Sequence, residues 1–199
     1  ELFQRVHLHP MAKNLEQVTV GYIGGISSRI DFSLLNYVIH ALPHVHFVFI
    51  GNIEPNVFGT PDRVSSEFAA LCRYKNVRWL PGVTKERIPA ALSKMDICLV
   101  PYRTDSMFNL FSFPMKVMEY FASGKPVITT DILALRPYAR KKLLTMAVTP
   151  ESFVKRIEMY IRHGWGSTLQ MRQAEEAHKN TWASKVSTIT DCVWKNNEC

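Results

Sequence analysis

The sequence predicts an α/β protein with a Rossmann-like parallel sheet of about six strands and helices on both faces. Two observations predict it: short apolar runs alternate with amphipathic segments, and glycine or proline residues punctuate the boundaries. With 199 residues, 47% of them hydrophobic, the chain is long enough for one sizeable core. We expect residues 1–16 to be a linker or arm, 17–165 to be the α/β domain, and 166–199 to be a C-terminal helix.

The strands are predicted from short runs rich in valine, isoleucine, leucine and phenylalanine. Glycine, asparagine or proline follows most of these runs and favours a turn there. In chain order the predicted strands cover residues 18–23, 45–50, 77–80, 97–100, 127–130 and 143–148.

The segments between the strands are predicted to be helices because their apolar residues recur with a helical period. Asp31, Thr84 and Thr149 stand just before such patterns, so each is predicted to cap the helix that follows. The predicted helices cover about 31–42, 61–74, 84–92, 112–123, 149–161 and 168–195. Strands alternating with helices at this spacing favour a parallel sheet.

The helix predicted over residues 112–123 has clear boundary signals. Ser112 is suited to cap it, and Pro114 suits its first turn, where the missing N–H has no intrahelical partner. Gly124 favours the end of the helix, and Pro126 prevents it from restarting before the next strand.

Two charged residues distinguish this helix from the others. Lys116 and Glu119 lie away from its apolar stripe, in its N-terminal half, where the macrodipole attracts anions. That arrangement suits a phosphorylated ligand. From the residues alone, a solvated i,i+3 ion pair, worth roughly 0.2–0.5 kcal/mol, remains an alternative.

The segment as a whole resembles the P-x-K-x-x-E-Y-x-A-x-G-K-P-V signature in the donor-binding, C-terminal domain of GT-B glycosyltransferases of group 1. The resemblance implies that Glu119 binds the ribose hydroxyls of a nucleotide-sugar. It also implies that Lys116, preceded by Met115, holds the nucleotide diphosphate, as in certain glucuronosyltransferases of this fold. Ser112, at the start of the motif, is included in the expected donor site.

Two further segments share this resemblance. Residues 20–26, V-G-Y-I-G-G-I, resemble the glycine loop that faces the donor diphosphate, which implies that Gly24 and Gly25 contact it. Taken alone, such glycines more often form a tight turn than a phosphate-binding loop, and their spacing does not match a dinucleotide fingerprint. Residues 76–83, N-V-R-W-L-P-G-V, resemble the strand and turn that meet the nucleotide base, which implies roles for Val83 and Thr84.

The chain also departs from the family pattern. Many retaining relatives have a second glutamate eight positions before the one matched by Glu119, and here that position is Phe111. Asp105 is the nearest acid that could substitute, although a loop aspartate is more often simply solvated. The family's Arg/Lys pair after the glycine loop is not recognisable, and we do not assign that role to Arg29. The catalytic residues, the sugar and the stereochemical outcome stay open.

The resemblance covers one half of a two-domain enzyme whose active site lies between the domains. We expect the acceptor-binding domain to precede Glu1, so that this chain alone is inactive because acceptor and donor must be held together away from water. The expected reaction moves a sugar from a nucleotide-diphosphate sugar to a glycan or lipid-linked acceptor, as in cell-surface polysaccharide synthesis, without a cofactor or metal. A sugar-nucleotide epimerase of the same fold and a non-catalytic interaction domain are the alternatives.

Charge and composition limit the remaining classes. The net charge of +7 suits an anionic ligand or surface, and residues 136–142 hold its densest basic run. That run favours a solvated helix end, with docking to an anionic membrane surface as the alternative. The basic residues are not interleaved with aromatics as in nucleic-acid binding. No apolar run approaches a membrane span, and the four cysteines and seven histidines lack metal-site spacing. Because Cys98 lies inside an apolar, strand-like run, we expect reduced thiols and therefore a cytoplasmic protein.

Overall fold

The computed structural model describes residues 18–54 and 61–195. Its strands are β1 (Thr19–Ile23), β2 (His46–Ile50), β3 (Val77–Leu80), β4 (Ile97–Val100), β5 (Val127–Thr129) and β6 (Thr145–Met146). Its α-helices are α1 (Phe32–Ala41), α2 (Pro61–Leu71), α3 (Ile88–Ser93), α4 (Met107–Phe111), α5 (Lys116–Ala122), α6 (Arg136–Arg140), α7 (Pro150–His163), α8 (Ser167–Lys179) and α9 (Trp182–Lys195). The predicted arm over 1–16 lies outside the described residues.

The six described strands form one parallel sheet in the order β3-β2-β1-β4-β5-β6. This confirms the predicted fold class. The strand order reverses direction between β1 and β4, where Val20 pairs with Ile97. In open α/β sheets ligands bind outside the carboxyl ends of the strands at such a switch point. The topology therefore places the candidate site beyond Ile23 and Val100.

The sheet is buried by two groups of helices. Helix α1 packs against α2 and α7, and α5 packs against α8. All four residues of β4 are buried, as expected for a central parallel strand covered on both faces. Tyr120 and Phe121 anchor α5 in this core, and the Tyr120 hydroxyl accepts a hydrogen bond from the backbone N–H of Ile23 at 3.0 Å. Helix α5 is thereby fixed against the end of β1.

Two of the predicted helix caps are confirmed. The Asp31 carboxylate accepts a hydrogen bond from the backbone N–H of Leu34 at 2.9 Å and caps α1. Thr149 and Ser152 form a capping box at the start of α7. Thr84 precedes a 3₁₀ turn, Lys85–Arg87, and makes no side-chain cap.

The predicted cap at Ser112 is wrong. Helix α5 begins only at Lys116, after Met115, and has no side-chain cap. Ser112 instead ends α4, a short helix within the segment read from the sequence as a loop. Because α5 has seven residues, its dipole is weaker support for anion binding than the longer helix predicted from the sequence.

The C-terminal region also differs from the prediction. The single helix expected over 168–195 is divided into α8 and α9. Asn180 ends α8, and the hydroxyl of Thr181 accepts a hydrogen bond from the backbone N–H of Ser184, which starts a second helix. On α9, Trp182 and Ile189 are exposed. The sixth strand is shorter than the predicted 143–148.

Candidate functional site

A cavity of about 260 Å³ opens beyond the carboxyl ends of β1 and β4. Its walls are the loop after β1, Glu54, Tyr102 and the turn over residues 113–116. Gly24, Gly25, Met115 and Lys116 were predicted as site residues, and the structure brings all four to this cavity. Ser112, Glu119, Val83 and Thr84 lie outside its lining.

The ammonium group of Lys116 lies over the aromatic ring of Tyr22, with Nζ 3.6 Å from the ring centroid. Gly24 is required beneath it, because a Cβ atom there would come within 2.6 Å of Nζ, and its φ of 132° is one that other residues rarely adopt. Burial lowers the pKa of Lys116, the charge of Arg29 adds a smaller effect in the same direction, and together they bring it to about 7. The folded chain therefore holds this cation under electrostatic stress that a bound anion would relieve.

Arg29 brings a second cation to the cavity. Its guanidinium lies 4.4 Å from the ring centroid of Tyr102, the ring that also has Lys116 Nζ at 5.3 Å. Its Nε donates to Asn109 Oδ1 at 2.9 Å, and its Nη2 donates to Ser112 Oγ at 2.6 Å. Ser112 thus contributes by positioning Arg29. Arg29 was not assigned from the sequence, because nothing near it in the chain indicates its contacts with residues about 80 positions away.

Asn109 holds α4 against this cation. It is the buried residue of that helix, at 2% exposure, and its Nδ2 donates to the backbone carbonyls of Arg29 and Arg103. Met107, Phe108 and Phe111 of the same helix are more than 60% exposed. Helix α4 therefore buries its polar side chain at the site and presents its apolar side chains outward.

Glu54 is the acidic residue of the cavity and was also absent from the predicted set. The backbone N–H of Glu54 donates to the Ile26 carbonyl at 2.9 Å, beside a parallel bridge between Ile26 and Ile53. These contacts continue the β1–β2 pairing past the strand ends and fix the Glu54 backbone. Its carboxylate lies against Gly25, where any Cβ atom would collide with it.

Glu119 is half-buried on α5, one turn after Lys116. Burial raises the pKa of its carboxyl, while the charges of Lys116 and Lys85 lower it. Lys85 follows Val83 and Thr84 directly, so the Glu119 carboxyl is influenced both by the cavity lysine and by a residue next to the turn predicted to meet a base. That turn is held by the Gly82 N–H, which donates to Asn52 Oδ1 at 3.0 Å.

The described residues contain no group of three or more His, Cys, Asp or Glu side chains that could hold a metal ion. Over the same ranges, no helix is both long and apolar enough to cross a membrane.

A family model described as glycosyl transferases group 1 matches residues 17–163. The chain belongs to this family. The sheet order and the ordered motifs agree with a group 1 glycosyltransferase domain of the GT-B fold. A relative of this group 1 domain is the provisionally named teichuronic acid biosynthesis glycosyltransferase TuaH of Bacillus subtilis strain 168, 30% identical over 119 residues. That match covers 59% of this chain and 28% of the relative.

Solved structures resemble this group 1 domain in fold. Sucrose-phosphate synthase from Thermosynechococcus elongatus aligns with a TM-score of 0.73 at 14% identity, over 92% of this chain and 46% of that one. Anabaena Alr3699/HepE in complex with UDP and glucose aligns with a TM-score of 0.63 at 16% identity, over 92% and 48%. The C-terminal domain of the Francisella tularensis group 1 protein LpcC aligns with a TM-score of 0.57 at 15% identity, over 87% and 94%. This chain thus spans about half of each of the first two structures.

Proposed function

We propose that this chain is the donor-binding half of a glycosyltransferase that moves a sugar from a nucleotide-diphosphate sugar to a glycan or lipid-linked acceptor. The observation that carries the proposal is the desolvated Lys116 ammonium above Gly24, next to Arg29, at the switch point of the sheet. Two basic side chains close together in a partly buried cavity favour a ligand with more than one negative charge. A diphosphate meets that requirement.

The remaining predicted residues give the donor its orientation in this proposal. Glu119 accepts hydrogen bonds from both ribose hydroxyls, for which one carboxylate has the necessary acceptor oxygens. The backbone of Val83 and Thr84 meets the base, and Met115 borders the diphosphate. Because Gly24 and Gly25 have no side chains, the backbone of this loop can approach the phosphates closely.

The same cations supply the catalytic effect expected of a donor site. When the bond between the anomeric carbon and the diphosphate oxygen breaks, negative charge develops on the leaving diphosphate. Lys116 and Arg29 would stabilise that charge in place, without a metal ion or cofactor in this proposal. The acceptor hydroxyl and its base belong to a further domain in our proposal, and we place the protein in the cytoplasm, where nucleotide sugars would reach it.

Two of the similar structures support this assignment. HepE was solved with UDP and glucose, and the aligned portion of LpcC is named as a C-terminal domain. The family match favours a transferase over a non-catalytic interaction domain. No feature of the cavity specifically favours the epimerase considered above.

The test is calorimetric titration of the chain with UDP, GDP and the matching nucleosides. We expect one nucleotide diphosphate to bind and Glu119→Ala to weaken it by about 1–3 kcal/mol, the scale of hydrogen bonds to a charged group. Glu158→Ala, which removes a carboxylate on α7 that does not line the cavity, is the matched control. If no nucleotide binds, or if both variants bind as the parent does, the proposal is wrong.

A further inference from the structure

The two consecutive glycines of the cavity lie beneath side chains of opposite charge. Lys116 Nζ is above Gly24, and the Glu54 carboxylate is against Gly25. A side chain at either glycine would meet one of these charged groups. Because consecutive Cα atoms are about 3.8 Å apart, a ligand lying along this loop meets a cation and an anion within one residue's length.

A carboxylate in this position is unfavourable for a diphosphate taken alone. Its negative charge repels an anion and offsets part of the attraction from Lys116 and Arg29. The backbone contacts to Ile26 fix the Glu54 backbone beside the cavity. Glu54 is an exposed residue, and among the described residues no hydrogen bond or ion pair engages its carboxylate.

A ligand that matches this pair of charges has an anionic part joined to a neutral part rich in hydroxyl groups. A diphosphate esterified to a sugar has that composition. Sugar hydroxyls donate hydrogen bonds, and an ionised carboxylate only accepts them, with two oxygens that suit neighbouring hydroxyls. Glu54 can therefore stabilise the sugar while it repels a diphosphate that has no sugar attached.

We propose that Glu54 accepts hydrogen bonds from the hydroxyls of the sugar that is to be transferred, and so makes the site discriminate a nucleotide sugar from the nucleotide diphosphate left after transfer. This inference rests on the proposed function. It assigns opposite effects to one residue: attraction for the donor and repulsion for the product, whose terminal phosphate carries additional negative charge.

The experiment is titration of the chain with two ligand pairs, UDP with UDP-glucose and GDP with GDP-mannose. In Glu54→Gln, we expect the nucleotide sugar of the recognised pair to bind about tenfold more weakly and its nucleotide diphosphate to bind more tightly. The ratio of the two affinities should therefore fall more than tenfold. Glu54→Asp keeps the negative charge on a side chain that is one methylene group shorter. This variant should lose the contact with the sugar and still repel the nucleotide diphosphate.

Glu175→Gln on the exposed face of α8 is the control for a lost charge. If Glu54→Gln tightens both ligands equally, Glu54 acts by repulsion alone, and if it weakens both equally, Glu54 acts on the nucleotide rather than on the sugar. Either result overturns the inference and leaves the proposed function intact. If the parent chain binds neither pair, the proposed function fails, and this inference fails with it.

Discussion

Two lysines bracket helix α5 and are both withdrawn from water. Lys116 is its first residue, and Lys125 follows its end with a relative exposure of 6%. Burial is the largest cause of a lowered pKa at each of them. They differ in their neighbours. The largest charge effect on Lys116 comes from another cation, Arg29, whereas the charge effects on Lys125 come from Cys98 and Asp96 and raise its pKa.

The comparison shows that desolvation alone does not identify a binding residue. Lys125 lies where nearby groups favour its charge, and its backbone carbonyl accepts a hydrogen bond from Gln173 at 3.0 Å. Lys116 lies at a cavity beside a like charge, and the absence of a side chain at Gly24 leaves space for its ammonium group. A buried cation whose strongest charged neighbour repels it is the better candidate for binding an anion.

The largest expected effect is a loss of affinity for nucleotide diphosphates on substitution of Lys116, but not of Lys125. Lys116→Met removes the ammonium but keeps much of the packing on Tyr22, and we expect nucleotide diphosphates to bind roughly tenfold to a hundredfold more weakly. Lys125→Met should leave that affinity within about 0.5 kcal/mol of the parent, because Lys125 does not line the cavity. Calorimetric titration of both variants measures the difference.

Nucleosides provide the internal control, since they lack the charge that Lys116 is proposed to contact and should bind equally to parent and variant. If both lysine variants lost diphosphate binding equally, the claim that Lys116 binds the anion and Lys125 does not would be wrong. Thermal unfolding of each variant distinguishes lost binding from lost folding.

Substituting the two lysines should also have different effects on how the affinity for nucleotide diphosphates depends on pH. With a pKa of about 7, Lys116 is only partly protonated in the free chain at neutral pH. A bound diphosphate favours the ammonium and raises its pKa, so binding takes up a proton. Affinity should therefore fall as the pH rises above 7, by up to about tenfold per unit, until the pKa of the complex is reached.

Titrations between pH 7 and 9 in buffers of different ionisation enthalpy would detect that proton uptake. We expect Lys125→Met to keep the pH dependence and Lys116→Met to lose it. A parent chain whose affinity is constant over this range would show that Lys116 does not change protonation on binding.

The smallest expected effect comes from removing the charge of Arg29, which is near Lys116 and has no counterpart among the charge effects on Lys125. Arg29→Met removes the repulsion, so the pKa of Lys116 should rise while that of Lys125 stays the same. NMR titration of the lysine side chains reports both values in one experiment. Asn109 keeps its contacts to backbone carbonyls in this variant, so α4 should stay in place. A lower pKa for Lys116, or an equal shift at both lysines, would contradict the role given to Arg29.

The fold was predictable because its signals are local. Apolar runs gave the six strands, and the caps at Asp31 and Thr149 were confirmed because aspartate and threonine there have a backbone N–H within reach. Ser112 is also a residue that favours helix N-caps and stands before a similar pattern, yet its hydroxyl accepts a hydrogen bond from Arg29. Local sequence could not reveal this competition, because the partner lies 83 residues away.

The candidate site was predictable only in part for the same reason. Gly24 and Lys116 belong to motifs whose residues are adjacent in sequence. Arg29, Glu54 and Tyr102 come from three different connections that the sheet brings to one edge. Their roles depend on the strand order, and the sequence predicts the presence of strands more readily than their order.

The switch point that positions the cavity also bears on how the molecule assembles. The N–H of Thr19 at the start of β1 donates to the carboxylate of Asp96 before β4, a contact that closes a chain segment of 77 residues. Contacts so distant in sequence form slowly, because the chain loses entropy in closing the loop before the favourable contacts between the strands have formed. During synthesis, Arg29 and Lys116 cannot meet until the chain beyond α5 has emerged. The anion site therefore forms only in the completed sheet, and anion binding during folding would indicate that β1 and β4 have paired.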